Sequence, residues 1–291
     1  LWQVVLLTVL LVPVRVGVGV TLGLLCVPFA LLRLVGLEPR QQTQPVCGWR
    51  RTVPHTAVYL LCRTIFLVLG FVWVKVTGRR ASVSEAPILV AAPHSSFFDP
   101  LFLLKCGIPS VVSREENLRV PVIGALLRFN QALLVSRRDP NSRRETVLEV
   151  KRRANSGGKW PQVMIFPEGT CTNRKCLIKF KSGAFISGVP VQPVILRYPN
   201  RVDTVTWTWN GPGVLRLLWL TLSQFYINAE IEFLPVYKPT LEERSHPEIY
   251  ANNVRQLMAT ALGIPVTNGA DEKQNIPQKL PPLGDRHQKH R

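Results

Sequence analysis

Two stretches of this chain are apolar almost without relief, and the remainder alternates. Residues Leu1 to Leu37 are nearly all Leu, Val, Gly and Phe, interrupted by Pro13, Arg15, Pro28 and Arg33. A second apolar run, Thr56 to Val76, is broken by Arg63 and Lys75. A helix needs about 20 mainly apolar residues to cross the hydrocarbon of a bilayer, and a charge at its centre is expensive. Proline interrupts a straight helix, although membrane helices tolerate it better than soluble ones. The first stretch, 1–37, therefore reads equally as a re-entrant membrane hairpin or a kinked span, with a buried core helix as the bland alternative. Its apolar length, with no small-residue cleavage site after it, argues against a secretory signal. The second, 56–76, reads as a second membrane-associated segment, spanning or lying in the interface with Arg63 reaching the headgroups, or else as a core helix. The chain opens without a Met, inside an apolar run, as a piece of a longer polypeptide would.

From Arg79 the texture becomes that of a soluble domain, 79–267. Compact apolar runs at Ile88 to Ala92, Val111 and Val112, Leu133 to Val135 and Val163 to Phe166 predict short buried strands, and Val191 to Leu196 and Ala229 to Leu234 are further strand candidates. Between them, Phe98 to Cys106, Val122 to Phe129 and Asn141 to Asn155 predict helices. The last of these puts Val147, Val150 and Ala154 on one side and a basic face opposite. Such alternation predicts an α/β fold. Val214 to Phe225 carries Leu215, Leu218, Trp219, Leu222 and Phe225 with little charge to balance them, which suits a core helix or contact with a bilayer or acyl chain. A final helix is expected after the capping-box pattern Ser245 to Glu248, ending at Gly263, with Tyr250, Val254, Leu257 and Ala261 on its buried face. The Pro-, Lys- and Gln-rich stretch 268–291 reads as a disordered tail.

Composition narrows the partners. Thirty-six Lys and Arg against 18 Asp and Glu give a formal charge of +18, which favours anionic membranes, phosphate-rich small molecules or nucleic acid. The apolar stretches favour the first two, and no finger, RNP or basic-zipper pattern is present, so nucleic acid is not an expected partner. Six cysteines form neither a CxxC pair nor a zinc-like grouping with His, and no metal site is expected.

Candidate chemistry begins at His94-Ser-Ser-Phe-Phe-Asp99, just past a predicted strand. A turn into a helix over Ser95 and Ser96 brings Asp99 towards His94, where its carboxylate holds one ring nitrogen protonated and leaves the other as a base. That is the orienting half of a catalytic triad, with the nucleophile supplied by substrate. Neither serine sits in G-x-S-x-G, which disfavours a serine nucleophile. A second cluster, Phe166-Pro-Glu-Gly-Thr-Cys-Thr-Asn-Arg-Lys175, combines a strand end, Glu168, Gly169, Thr170, Asn173 and two cations including Arg174. It suits polyol and phosphate oxygens, or is simply a polar turn. A third, Ser136-Arg137-Arg138-Asp139, puts Arg137 at a strand's carboxyl end, well placed for an anion.

These residues resemble the glycerolipid acyltransferase superfamily, and within it the lysophosphatidylcholine acyltransferases. Its motifs stand in order: H-x4-D at His94 and Asp99, the strand-end Arg at Val135 to Arg137, F-P-E-G-T at Phe166 to Thr170, and V-P-V-x-P-V at Val189 to Val194. The third continues as E-G-T-C-T-N-R to Arg174, and the fourth into R-Y-P-N, Arg197 to Asn200. The resemblance implies an α/β domain with a central mixed sheet flanked by helices, preceded by N-terminal membrane helices. It implies transfer of an acyl group from acyl-CoA, a co-substrate and not a cofactor, to the hydroxyl of a lysophospholipid. Lysophosphatidylcholine is the expected acceptor; lysophosphatidic acid, or an alkyl-lysolipid receiving acetyl, remains open, as does an inactive membrane scaffold. In this scheme His94 is the general base and Asp99 orients it. Arg137, Glu168, Gly169 and Thr170 surround the glycerol-phosphate, joined by Asn173 and Arg174, and Pro193 shapes the acyl-CoA side. The implied location is the endoplasmic reticulum membrane, with lipid droplets and Golgi as further compartments and the catalytic domain towards the cytosol. Some members of that branch continue into EF-hand modules. Residues 269–291 contain no such loop; either the chain is truncated there or the modules are absent from the protein, and calcium regulation is not expected.

Overall fold

The computed structural model describes residues 2–38, 43–136, 138–208 and 210–267. The expected tail 268–291 and the strand-end Arg137 lie outside the described residues.

Helices α1 (Trp2–Leu10) and α2 (Val12–Leu32) follow one another through Leu11, and the bonds Leu11 N–H to Leu7 O and Arg15 N–H to Leu11 O carry the helical pattern across. Pro13 stands in the first turn of α2, a position at which a helix tolerates proline. Leu6–Leu32, with mean hydropathy 2.2, is the one helical stretch among the described residues long and apolar enough to cross a bilayer. Helix α3 (Trp49–Val68) lies along α2, and Val58 meets Ala30 in a small core shared with Ala125 and Phe129.

The second apolar stretch does not stay one element. Helix α3 ends at Val68, the chain turns at Gly70 with φ +103°, and Val74–Thr77 forms strand β1. Positive φ is where glycine breaks a helix at no steric cost, and apolar composition alone hides such a break. Then come β2 (Ile88–Ala92), α4 (Pro100–Lys105), β3 (Ser110–Arg114), a 3-10 turn, α5 (Pro121–Phe129), β4 (Leu133–Val135), α6 (Pro140–Ala154) and β5 (Val163–Ile165). The chain closes with β6 (Val191–Arg197), α7 (Val214–Leu222), β7 (Ala229–Phe233), α8 (Leu241–Ser245) and α9 (Pro247–Leu262).

The strands form one seven-stranded sheet in the order β1-β7-β6-β2-β5-β3-β4. Neighbours are parallel except β6 and β7, so the sheet is mixed, as expected. Strand β2 is buried along its whole length because both sheet faces are covered. Ile88, Val90 and Ala92 face α6 and α9 through Val150, Ala154, Tyr250 and Val254. Leu89 and Ala91 face Phe71, Phe98, Phe102 and Tyr198 on the other side.

Two details of the sequence reading are corrected. The capping box belongs to α8, where Thr240 and Glu243 bond reciprocally, while α9 starts at His246 with no side-chain cap. On α9 the buried face is Tyr250, Ala251, Val254, Arg255, Met258 and Ala259; Leu257 and Ala261 are exposed. The buried stripe advances by i+4 steps along 250, 254, 258 and 251, 255, 259, and the expected i+3 step from Val254 to Leu257 leaves it. Helix α7 is neither wholly core nor wholly surface: Leu217 and Leu222 are buried while Leu215 is 83% exposed.

The arginines inside the apolar helices have definite partners. Arg15 on α2 donates to the carbonyls of Leu222 at 2.8 Å, Gln224, and Phe225 at 2.9 Å. These include carbonyls at the C-terminal end of α7, which lack helical partners. Arg33 donates to Phe129 O at 2.6 Å and lies over that ring. Arg63 donates to Phe71 O at 3.1 Å and Val72 O at 2.6 Å. Arg15 and Arg33 thus reach backbone carbonyls of the α/β domain and tie the amino-terminal helices to it, with Arg33 Nε left buried without a partner, while Arg63 closes the turn that follows its own helix.

Candidate active site

Strands β6, β2 and β5 are adjacent and parallel, so their carboxyl ends meet at one edge of the sheet. This is where open α/β sheets characteristically bind ligands. The three chain exits deliver Tyr198, then His94 to Asp99, then Phe166 to Arg174. Residues distant in sequence converge because the strands that carry them are neighbours.

At the end of β2 the chain passes a cis Ala92–Pro93 bond and turns into α4. The turn seats His94 Nδ1 2.6 Å from Asp99 Oδ2. The same oxygen accepts the N–H of Ser95 at 3.0 Å and of Ser96 at 3.2 Å, and Oδ1 accepts the Tyr198 hydroxyl at 2.7 Å. The Asp99 side chain is fully buried, whereas His94 keeps 24% exposure. Phe166 lies against the imidazole with ring centroids 4.3 Å apart. With Nδ1 held by the carboxylate, Nε2 is the nitrogen left for chemistry, and Cys171 Sγ sits 3.5 Å from it.

Backbone contacts lock the 166–174 loop to this turn. His94 N–H donates to Glu168 Oε1 at 2.7 Å, and Thr172 N–H donates to His94 O at 2.7 Å. Glu168 is 2% exposed and its Oε2 has no protein partner. Gly169 turns at φ +66°, where a Cβ would collide with the Lys181 side chain. Gly169 and Thr170 are exposed at the rim. Asn173 Oδ1 accepts Lys175 N–H, and Arg174 pairs with Asp203 at 2.6 Å and lies 5.6 Å from the Tyr198 ring centroid.

The electrostatics follow from this packing. Burial works against the charged form of His94, but hydrogen bonds to Asp99 and Cys171, with the Asp99 charge, outweigh it and push the imidazole up to about 10. Burial raises Glu168 to about 7 despite the His94 N–H it accepts. Among the described residues, no group of three or more His, Cys, Asp and Glu is arranged to hold a metal ion.

The structure therefore gathers His94, Asp99 and Glu168, with Gly169, Thr170, Asn173 and Arg174 beside them. It does not bring Pro193 to the open edge: Pro193 is buried in β6, in register with Val90. Glu168, expected among substrate contacts, faces inward as a brace for the His94 backbone. Sequence reasoning missed two partners. Tyr198 was visible only as the strand-end aromatic of Arg197 to Asn200, and Cys171 only as one letter of a polar loop. Neither announces its neighbour until the sheet order is known.

Comparison with known proteins bears on this edge of the sheet. Residues 73–197 match a family model described as Acyltransferase, a span running from just before β1 to the last residue of β6. Over 262 residues the chain is 62% identical to lysophospholipid acyltransferase LPCAT4 of Mus musculus, covering 90% of this chain and 50% of that protein. It is 54% identical to lysophosphatidylcholine acyltransferase 2 of Homo sapiens over 266 residues, 91% of this chain and 48% of the relative. It is 52% identical to lysophosphatidylcholine acyltransferase 1 of Mus musculus over 266 residues, 91% and 49%. The chain spans about half the length of these curated relatives. Among solved structures it is similar to the 1-acyl-sn-glycerophosphate acyltransferase PlsC of Thermotoga maritima, with TM-score 0.49 and 19% identity, covering 84% of this chain and 98% of that one.

Proposed function

From a chain closely related to the lysophosphatidylcholine-type acyltransferases of the glycerolipid acyltransferase superfamily, we propose an enzyme that moves a fatty acyl group from acyl-CoA to the free hydroxyl of a lysophospholipid. The products are a phospholipid and free CoA, and lysophosphatidylcholine is the acceptor we assign first. The observation that carries the reading is the His94–Asp99 pair, 2.6 Å apart, with Nε2 turned to the partly open edge of the sheet.

In this mechanism the acceptor alcohol, a poor nucleophile at neutral pH, gives its proton to His94 Nε2 as its oxygen attacks the acyl thioester carbonyl. Asp99 fixes the ring and stabilises the imidazolium that forms. Thr170, Asn173 and Arg174 are assigned to the glycerol-phosphate portion. Gly169 gives the loop its close turn, and Glu168 holds the His94 backbone in place. Arg137 is assigned to the acceptor phosphate, where a planar two-pronged cation outperforms a point charge. Pro193, one layer into the sheet, supports the acyl-CoA side from below. An alcohol attacking an activated carbonyl needs no metal if protein donors meet the oxyanion.

The apolar Leu6–Leu32 helix supports a membrane location. We place the chain in the endoplasmic reticulum membrane, residues 1–37 as its main anchor, 56–68 as a second membrane-associated helix, and the sheet domain towards the cytosol. Purified protein in nanodiscs, assayed against lysolipids of different head groups and acyl-CoA of different lengths, tests the function. The highest rate is expected with lysophosphatidylcholine. A preference for lysophosphatidic acid would move the acceptor, and transfer to no lysolipid would sink the reading.

A further inference from the structure

We propose that the exposed face of α7 and two aromatic turns beside it, 70–73 and 224–227, dip into the headgroup region of the bilayer. The sheet domain then has a membrane contact of its own, which turns its active edge towards the lipid. The inference rests on the membrane location given above and adds to it the surface by which the domain meets the bilayer.

The patch is apolar, exposed and contiguous. Helix α7 carries one charge, Arg216, in nine residues, and Leu215 on it is 83% exposed. In the two turns Trp73 is 75% exposed, Tyr226 64% and Phe225 58%. The turns lie side by side, because Ile227 N–H donates to Gly70 O at 2.8 Å. Single exposed apolar residues are ordinary on a protein surface, but a contiguous patch marks an interaction site.

Strand direction puts this patch at the active edge. Strand β7 runs antiparallel to β6, and β1 runs parallel to β7 with Val74 level with Ala229. The starts of β1 and β7 therefore lie at the edge where β6, β2 and β5 end. Asn200, just past β6, and Asn228, just before β7, exchange two hydrogen bonds across it, at 2.9 and 2.8 Å.

The neighbouring helix identifies the occupant as lipid. Trp219 Nε1 on α7 donates to Thr8 Oγ at 3.0 Å, and Arg15 holds the carbonyls at the end of α7. Thr8 and Arg15 both belong to the apolar stretch Leu6–Leu32, whose exposed Val9, Leu10 and Val14 continue the patch. Lipid that covers those residues also reaches α7. Trp and Tyr are the side chains that favour the membrane interface, and Arg216 and Lys75 have stems long enough to reach headgroups.

Docking here bears on the reaction. Thr221 Oγ on α7 donates to Thr204 O at 2.6 Å, and Trp207 N–H, further along the same connection, donates to Ser95 O at 2.8 Å. Helix α7 is thus tied to the turn that carries His94. With α7 at headgroup depth, a lysolipid presents its free hydroxyl to the active edge without leaving the bilayer.

Photocrosslinking identifies what covers the patch. The full chain is reconstituted in phosphatidylcholine vesicles with benzoylphenylalanine replacing Leu215, Val14 or Leu241, one at a time. Leu241 is 82% exposed but lies beyond Tyr237, which pairs with Val191 at the opposite edge of the sheet. Leu215 and Val14 should give adducts of one phospholipid mass, and Leu241 none. Lipid adducts at Val14 with none at Leu215, or a Leu215 crosslink to a second copy or another protein, overturn the docking surface and leave the membrane location standing. Lipid adducts at neither position overturn both. In a second arm, Leu215→Ser combined with Phe225→Ser should raise the apparent KM for vesicle-embedded lysophosphatidylcholine by on the order of tenfold. Transfer to a short-chain lysolipid dissolved as monomer should stay at the wild-type rate. Equal losses with both acceptors would report damage to the site and overturn the docking role.

Discussion

The hydroxyl of Tyr198 donates to Asp99 Oδ1 at 2.7 Å across 99 residues of sequence, while His94 Nδ1 and two backbone N–H groups share Oδ2. Asp99 is thereby a fully buried carboxylate with donors on both oxygens, the condition under which burying a carboxylate is tolerable. Tyr198 sets the orientation of Asp99, and Asp99 sets that of His94.

Removing each link should give a distinct signature. Tyr198→Phe takes away a charge-assisted hydrogen bond worth ~1.5–3 kcal/mol, so stability and transfer rate should both fall. His94 remains paired, however, and the pH profile should keep its high inflection. Asp99→Asn should lower the rate further and move the inflection down, because the group that raises His94 is gone. In the wild type, transfer should rise with pH through values above the ordinary ~6.5 of histidine. Linkage gives the sign for stability. Folded His94 is pushed up to about 10, so its contribution is full below roughly pH 6.5 and is lost as pH rises through about 10. Melting temperatures and rates across that range, for wild type and Asp99→Asn, check both statements. An unshifted inflection in Asp99→Asn would remove Asp99 from control of the base.

The central strands β2 and β5 were legible because they are buried on both faces and read as unbroken apolar runs; Ile88 to Ala92, like the shorter Leu133 to Val135, falls where the pattern put it. Strand β1 was not, since Val74 to Thr77 follows an apolar helix with only Gly70 to mark the change. Local chemistry was legible where partners are near in sequence, as His94 and Asp99 are. Tyr198 and Cys171 depend on which strands are adjacent, and nothing local encodes that. The charge at Arg15 looked like a defect in a membrane segment because its carbonyl partners lie more than 200 residues away, and that at Arg63 because the turn at Gly70 that brings Phe71 and Val72 back to it was hidden in an apolar run.

Glu168 should behave as a structural brace with a pH signature. Its folded value, raised by burial to about 7, lies above the ordinary ~4.3 of glutamate. The folded state therefore holds the proton more tightly, and stability from this group is full below about pH 4.3 and declines as pH rises through about 7. Glu168→Gln keeps an acceptor for His94 N–H and should remove that decline. Glu168→Ala leaves a buried donor without its partner, a loss of roughly 1–3 kcal/mol, and should lower both melting temperature and transfer. Thermal unfolding at pH 5 and pH 8 distinguishes them; identical pH slopes in wild type and Glu168→Gln would refute the assignment.

Arg15 should matter as a tie and not only as a charge. Arg15→Leu makes α2 more apolar, which by hydropathy alone improves insertion, yet it strips donors from the carbonyls of Leu222, Gln224 and Phe225. Hydrogen bonds to charged groups are worth ~1.5–3 kcal/mol each, so α7 should loosen from the helix beside it. Limited proteolysis in detergent should cut faster near residues 210–226, and Arg15→Lys should restore only part of the protection because it cannot span several carbonyls. Wild-type cleavage rates in Arg15→Leu would count against the tie.

His94→Ala is the decisive change for the reaction. The acceptor oxygen must lose its proton as it attacks, and general-base catalysis contributes roughly 10²–10⁴-fold, so transfer should drop by at least the lower figure. No other described histidine is placed to substitute: His55 bonds to Gly107 O and His246 to Glu242 O, both away from the sheet edge. The variant should remain folded, because His94 contributes little to the core and its backbone bonds to Glu168 and Thr172 survive the change. Acyl-CoA binding, measured by titration calorimetry, should be close to wild type, which separates loss of chemistry from loss of the site. Retention of more than about a tenth of the wild-type rate by folded His94→Ala protein would show that this imidazole is not the base. The role assigned to Asp99 would fall with it, since Asp99 acts through Nδ1 of that one ring.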